Sequence, residues 1–281
     1  MKTAYTTFLS ECLFLCAAIL LGSCNSKEIR EEETPAFTQR LPGDQAIYGL
    51  ACDGYNDTTI VVLPEDNSDP VTYNTIDAKR NKRILGKLQI GDRLCVMLNK
   101  RDKTKADLVV NMDKLMGIWC YIVMPKMRYA ENMSAKVQSK MMDQMSDSLK
   151  ETYLIPREYG FYLKPDWVAQ SVGYVDDNNA LAEESPVVYP PLGYFIGWHM
   201  WNGMLVITSG TPKTNKNGNI DVVDQRTDTC SIDYLEGDSL VLSSDGVSRS
   251  YYRKENINDL NRRAQAIADR LKKNALKETV N

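Results

Sequence analysis

Histidine is nearly absent: His199 is the one imidazole in 281 residues. A catalytic imidazole needs a nucleophile or a second proton carrier set against it, and no pattern here supplies one. There is no Gly-x-Ser-x-Gly, no His-Glu-x-x-His and no phosphate-cradling glycine loop. Cysteine is sparse and singly spaced, without a Cys-x-x-Cys, so zinc-ligand spacing is missing. The Asp176-Asp-Asn-Asn179 run lacks the alternating oxygen series and the trailing glutamate of a calcium loop, and reads as solvated. No apolar run reaches the ~20 residues of a membrane-spanning helix. The globular part carries no basic block, and the net charge is -3, which disfavours nucleic acid as a partner. No catalytic residue, metal or cofactor is expected.

What is present begins with targeting. Lys2 is followed by a short apolar run, Leu13 to Gly22, of the length of a signal-peptide core. It ends Leu21-Gly22-Ser23-Cys24, which resembles the bacterial lipobox: an aliphatic residue, two small ones, then the thiol that accepts the lipid. Residues 1–23 are therefore expected to be removed, with Cys24 lipidated. A polar tether follows, rich in Glu28 and Glu31 to Glu33, before the first domain. A location in the bacterial cell envelope, anchored by lipid to the outer membrane, is expected, with the membrane face left open. Of the remaining cysteines, Cys52, Cys95 and Cys120 lie in apolar strand patterns where free thiols are common. Cys230 completes the set, and its spacing requires no disulfide.

The mature chain is long enough for one large or two modest domains. From Gln45, short apolar strands alternate with Gly and Asp turns at about ten-residue spacing: Ala46–Cys52, Thr58–Leu63, Val71–Ile76, Arg93–Leu98 and Asp107–Asn111. Residues 44–113 read as a small β domain, an open barrel of the OB or SH3-like type. A second β domain is expected over 114–281. Its first strand is Gly117–Val123, and a helix at Glu131–Lys150 carries Met133, Val137, Met141, Met145 and Leu149 on one stripe. That stripe either fills core against the neighbouring domain, the reading favoured here, or forms a lid. Tyr159–Leu163 and Trp167–Val172 are further strands. Asn202-Gly203 between Gly193–Trp201 and Met204–Thr208 is the clearest hairpin signal in the chain. Gly210 to Thr227 is long and polar. Strands resume at Thr229–Leu235, Ser239–Ser243 and Val247–Lys254, and an amphipathic helix spans about Asn256–Lys277.

Several of these pieces, in this order, resemble the lipocalin-like lipoproteins of Bacteroidetes. They are Gly117-Ile118-Trp119, Tyr159-Gly160-Phe161-Tyr162-Leu163 with Pro165-Asp166, Trp198 leading to Asn202-Gly203, and the close through Cys230–Leu235, Asp238–Leu242 and Tyr251–Lys254. The resemblance covers about residues 114–255. It implies an eight-stranded up-and-down barrel with Trp119 closing the base. An arginine near the last strand would pack on that ring, Arg253 first and Arg249 second. It also implies a small apolar or amphipathic ligand. The hypothetical contacts are Trp119, Tyr121, Phe161, Trp198, His199 and Trp201. Alternation puts His199 and Trp201 on one face of their strand and Trp198 and Met200 on the other. Barrel filling by these rings and a retained cavity both stay open. The leading function is non-enzymatic ligand binding by a membrane-tethered lipoprotein. The alternative is a structural or protein-interaction module of the cell envelope.

Overall fold

The computed structural model describes residues 40–66, 68–175 and 185–278. The signal peptide, Cys24, most of the tether and the Asp176–Asn179 run lie outside the described residues. The chain is mainly β, built as two barrels with short helices.

The first barrel uses β1 (Ile47–Ala51), β2 (Thr59–Pro64), β3 (Val71–Asn74), α1 (Ile76–Arg80), β4 (Ile84–Leu85), β5 (Arg93–Leu98) and β6 (Ala106–Asn111). Strand order is β3-β2-β1-β5-β6-β4. The end of β3 meets the start of β6 in parallel at Asn74–Lys105. A three-strand meander, a helix, then two strands that return beside the first strand and close in parallel on the third is the strand order of an OB barrel. The sequence had left this open between OB and SH3-like types. Ile60, Val62, Leu94, Val96 and Val109 form its core.

β5 and β6 are buried almost without alternation. Their second face, with Tyr48, Cys95 and Leu108, is covered by the other barrel. The Asn202-Gly203 turn is what lands there. Both residues have positive φ, 49° and 75°, as a tight hairpin turn needs. A side chain at Gly203 would collide with Leu108 Cδ2. Asp44 fixes the junction: its carboxylate accepts from Asn202 N at 2.9 Å and Tyr48 Oη at 2.5 Å. Trp201 Nε1 donates to Pro42 O and Gln45 N to Asn202 Oδ1. Asp44→Ala removes the acceptor of Asn202 N and Tyr48 Oη at a half-buried site. It is expected to cost about 2 kcal/mol, read as a lower urea midpoint with an unchanged slope.

α2 (Met112–Leu115) leads into the second barrel. Its strands are β7 (Gly117–Val123), β9 (Arg157–Leu163), β10 (Ala169–Val172), β12 (Tyr194–Trp201), β13 (Met204–Thr214), β14 (Ile220–Glu236), β15 (Ser239–Ser244) and β16 (Val247–Lys254). They run β10-β9-β7-β16-β15-β14-β13-β12. Every sequential neighbour pairs antiparallel except β10 and β12, and β16 returns to β7, so this is an up-and-down eight-stranded barrel of the lipocalin-like kind. The β10–β12 seam is bridged by Trp198 N donating to Trp167 O, and by Ser171 Oγ, which donates to Gly193 O and accepts from Phe195 N. β8 (Lys126–Met127) and β11 (Val187–Val188) pair with each other outside this sheet.

Four expectations are corrected. The helix expected at Glu131–Lys150 is two: α3 (Ala135–Gln144) and α4 (Asp147–Tyr153). Ser146 breaks it, because its hydroxyl caps Leu149 N and starts a new helix. The Met stripe does not fill core, since neither helix has a buried residue. The polar stretch from Gly210 to Thr227 is mostly strand: β13 and β14 continue past the barrel as a two-stranded ribbon, pairing Thr211–Thr214 with Ile220–Val223. The C-terminal helix begins later than expected. A short 3-10 turn at Ile257–Asp259 precedes a left-handed Asn261 (φ 55°), and α5 runs Arg262–Glu278.

Candidate ligand-binding groove

Inward residues of the second barrel form a stacked column. At the base Trp119 is fully buried, donates Nε1–H to Leu115 O at 2.7 Å and lies under the Arg253 guanidinium at 4.2 Å. Arg253 donates to Met116 O and Lys114 O, closing this end. Burial lowers its pKa from that of an ordinary arginine. Above it, Phe161 meets Tyr251 at 5.1 Å and Phe195 at 5.9 Å, and Tyr251 meets Tyr121 edge-on at 5.5 Å. Arg249 caps Tyr121 at 4.3 Å. Burial raises the Tyr251 pKa, with the nearby Arg249 opposing it. These rings occupy the barrel axis.

The six residues singled out from sequence are thus divided. Trp119, Tyr121 and Phe161 belong to the packed column. Trp198 is buried and donates Nε1–H to Lys164 O at 2.9 Å. His199 and Trp201 lie on the opposite, outer face of β12 and are half-buried. His199 stacks on Trp167 at 5.5 Å, and burial lowers its pKa. Cys52, Cys95, Cys120 and Cys230 are free thiols. Among the described residues, no group of three His, Cys, Asp or Glu side chains could hold a metal.

Open volume lies instead on the barrel's flank. Ile155, at the entry to β9, and Val175, just after β10, pack against Ala264, Ile267 and Ala268 of α5. The apolar face of α5 drives this contact, and its two alanines leave the helix short of filling the space. The result is a groove of about 400 Å³. Its far wall is Val187 to Leu192, where Pro190-Pro191 holds the chain extended. Tyr189 is anchored there by donating its hydroxyl to Ile155 O at 2.6 Å, and the Arg157 guanidinium lies 3.6 Å from its ring centroid. Burial raises the Tyr189 pKa, and Arg157 partly opposes this. Arg128 closes one end, donating Nε–H to Ser185 O at 2.7 Å. Mostly apolar walls with a few oriented polar groups, in a volume of this size, are the usual form of a small-molecule site. None of the six residues singled out from sequence lines this groove.

No family model matches the chain. No curated protein matches it either. A solved structure of a lipocalin-like protein from Bacteroides thetaiotaomicron VPI-5482 is similar over 50% of this chain and 97% of that one, at 18% identity and a TM-score of 0.25. At that score the lipocalin-like assignment rests on the strand order above.

Proposed function

We propose that this chain is a membrane-tethered lipoprotein of the bacterial envelope that works by binding a small apolar or amphipathic ligand, without catalysing a reaction on it. The single observation that carries the binding reading is the groove of about 400 Å³ between α5 and the barrel flank. Trp119 and Phe161 are buried, Phe161 packs on Tyr251, and none of the three lines the groove. Ile155, Val175 and Ile267 supply an apolar floor, and Arg128 and Arg157 lie at its edge. Tethering is supported by Leu21-Gly22-Ser23-Cys24 and the polar segment after it.

Titration with a fluorescent long-chain fatty acid tests the groove. Ala268→Phe fills it and should weaken binding at least about ten-fold. Tyr121→Phe, in the packed lumen, should leave binding unchanged. No binding by the native protein, together with no small molecule found by native mass spectrometry after purification from its host, would sink the reading. Tethering is tested separately: Cys24→Ser should abolish palmitate labelling, and a protein still labelled would refute the anchor.

A further inference from the structure

Walls of the groove come from stretches far apart in sequence. β9 supplies Arg157 and Tyr159, the chain just after β10 supplies Tyr174 and Val175, and α5 supplies Ala264 and Ala268. Packing alone holds α5 weakly against this flank. The side chains it buries there are the methyl groups of Ala264 and Ala268, with Ile267 only partly covered, and they remove little apolar surface from water. A tie just outside the groove makes up for this.

Glu158 stands between Arg157 and Tyr159, Gly173 directly precedes Tyr174, and Asn261 comes three residues before Ala264. One side chain joins the three. Asn261 Nδ2 donates to Glu158 O at 3.0 Å and to Gly173 O at 2.7 Å, and its Oδ1 accepts from Glu158 N at 2.7 Å. Both amide hydrogens of the asparagine are thus used. Its main chain adds to the tie: Asn261 N donates to Glu158 Oε2 at 3.2 Å. Asn261 O accepts from Gln265 N at 2.8 Å, so α5 starts from the tied residue. The left-handed φ of 55° at Asn261 sets the direction in which the helix leaves. At Gly173 the backbone comes so close that a β-carbon would collide with Glu158 O, so the Tyr174 wall can stand against β9 only with glycine there. Asn261, Glu158 and Gly173 do not themselves line the groove.

We propose that Asn261 is a positioning residue for the ligand: by fixing Glu158 and Gly173 to the start of α5, it sets the spacing of the groove's walls and with it the affinity. The inference rests on the ligand-binding reading above. The test uses residues 24–281 with Cys24→Ser and follows cis-parinaric acid, a fluorescent fatty acid, by titration. Asn261→Gly keeps the left-handed backbone but removes the tie. Its dissociation constant should rise at least about ten-fold, because the walls are no longer pre-organised. Asp44→Ala weakens the fold at the junction of the barrels and lines no part of the groove. It should leave the constant within about two-fold. Circular dichroism verifies that both variants are folded. A second measurement needs no variant, because coupling between ligand and tie is reciprocal. In the native chain, saturating ligand should slow exchange of the Glu158 amide hydrogen, which donates to Asn261. The factor should exceed that for the Arg253 amide, which donates to Asp238 O at the barrel base. This measurement decides the case if Asn261→Gly does not fold. With native binding intact, an unchanged constant for Asn261→Gly, an equal rise for Asp44→Ala, or equal slowing at Glu158 and Arg253 overturns the proposal. Absence of binding by the native chain looks different: it removes the ligand reading, and the proposal with it.

Discussion

Replacing Trp119 by alanine should destabilise the protein by about 4–5 kcal/mol, at the upper end of the range for a large buried aromatic. The indole is fully buried at the base of the second barrel, so its removal leaves a void that surrounding strands cannot close without moving. It also strips Arg253 of the ring beneath its guanidinium and leaves Leu115 O without its indole donor. Arg253 would still be held by Lys114 O and Met116 O, so it cannot swing in to fill the space. Trp119→Phe should recover more than half of the loss, because it restores most of the volume but not the hydrogen bond. In a thermal melt the alanine variant should fall by roughly 10–15 °C. A drop under 3 °C would mean that Trp119 does not close the barrel.

That residue was legible in the sequence. Gly117-Ile118-Trp119 marked the first strand, and the resemblance put Arg253 ahead of Arg249 as its partner. The structure gives the reason: a side chain at Gly117 would collide with the Arg253 guanidinium, so the glycine makes room for the arginine over the ring. Asn202-Gly203 was legible because a tight turn demands positive φ, but its docking on Leu108 was not, since nothing local encodes a contact across ninety residues. The β13–β14 ribbon was missed because both of its faces meet water, so no alternation of apolar and polar residues betrays it. The break at Ser146 was missed because the Met stripe continues in register through it, while the serine cap acts on the backbone. The groove was not legible at all. Its walls come from Arg128, Tyr153 to Tyr159, Val187 to Leu192 and α5, and each of those apolar residues taken alone reads as ordinary core. Its signal is a mismatch of sizes, alanines on α5 facing a wall of prolines and tyrosines, which only the assembled fold reveals.

Asn261→Ala should cost about 3–4 kcal/mol, a large effect for so small a polar residue. β10 leaves β9 after Val172, where Gly173 turns away with φ 97°. That departure would leave the backbone of Glu158 with an open edge. Asn261 completes it: its Oδ1 accepts from Glu158 N at 2.7 Å and its Nδ2 donates to Glu158 O at 3.0 Å. One side-chain amide thus replaces the peptide of a missing strand residue. The same Nδ2 donates to Gly173 O at 2.7 Å, tying the turn to the chain that leads into α5. Alanine would leave these buried groups unpaired, at a desolvation cost of roughly 1–3 kcal/mol for each group that water cannot reach. It would also sit less easily than asparagine in the left-handed region. Asn261→Gly separates the two causes: it relieves the backbone but restores no hydrogen bond, so it should recover only about 1 kcal/mol. The latch also includes Glu158, whose carboxylate accepts from Tyr252 Oη and Lys254 Nζ, each at 2.7 Å. Burial alone would raise the Glu158 pKa, yet Lys254, Tyr252 and Asn261 together hold it below its ordinary value of 4.5. A carboxyl depressed in the folded state stabilises above its unfolded pKa, and that contribution is lost as pH falls through the folded value. Acid should therefore loosen the same latch, and unfolding followed in urea below about pH 4.5 should show a smaller penalty for Asn261→Ala than at neutral pH. Equal penalties at both pH values would show that the amide and the carboxylate act independently.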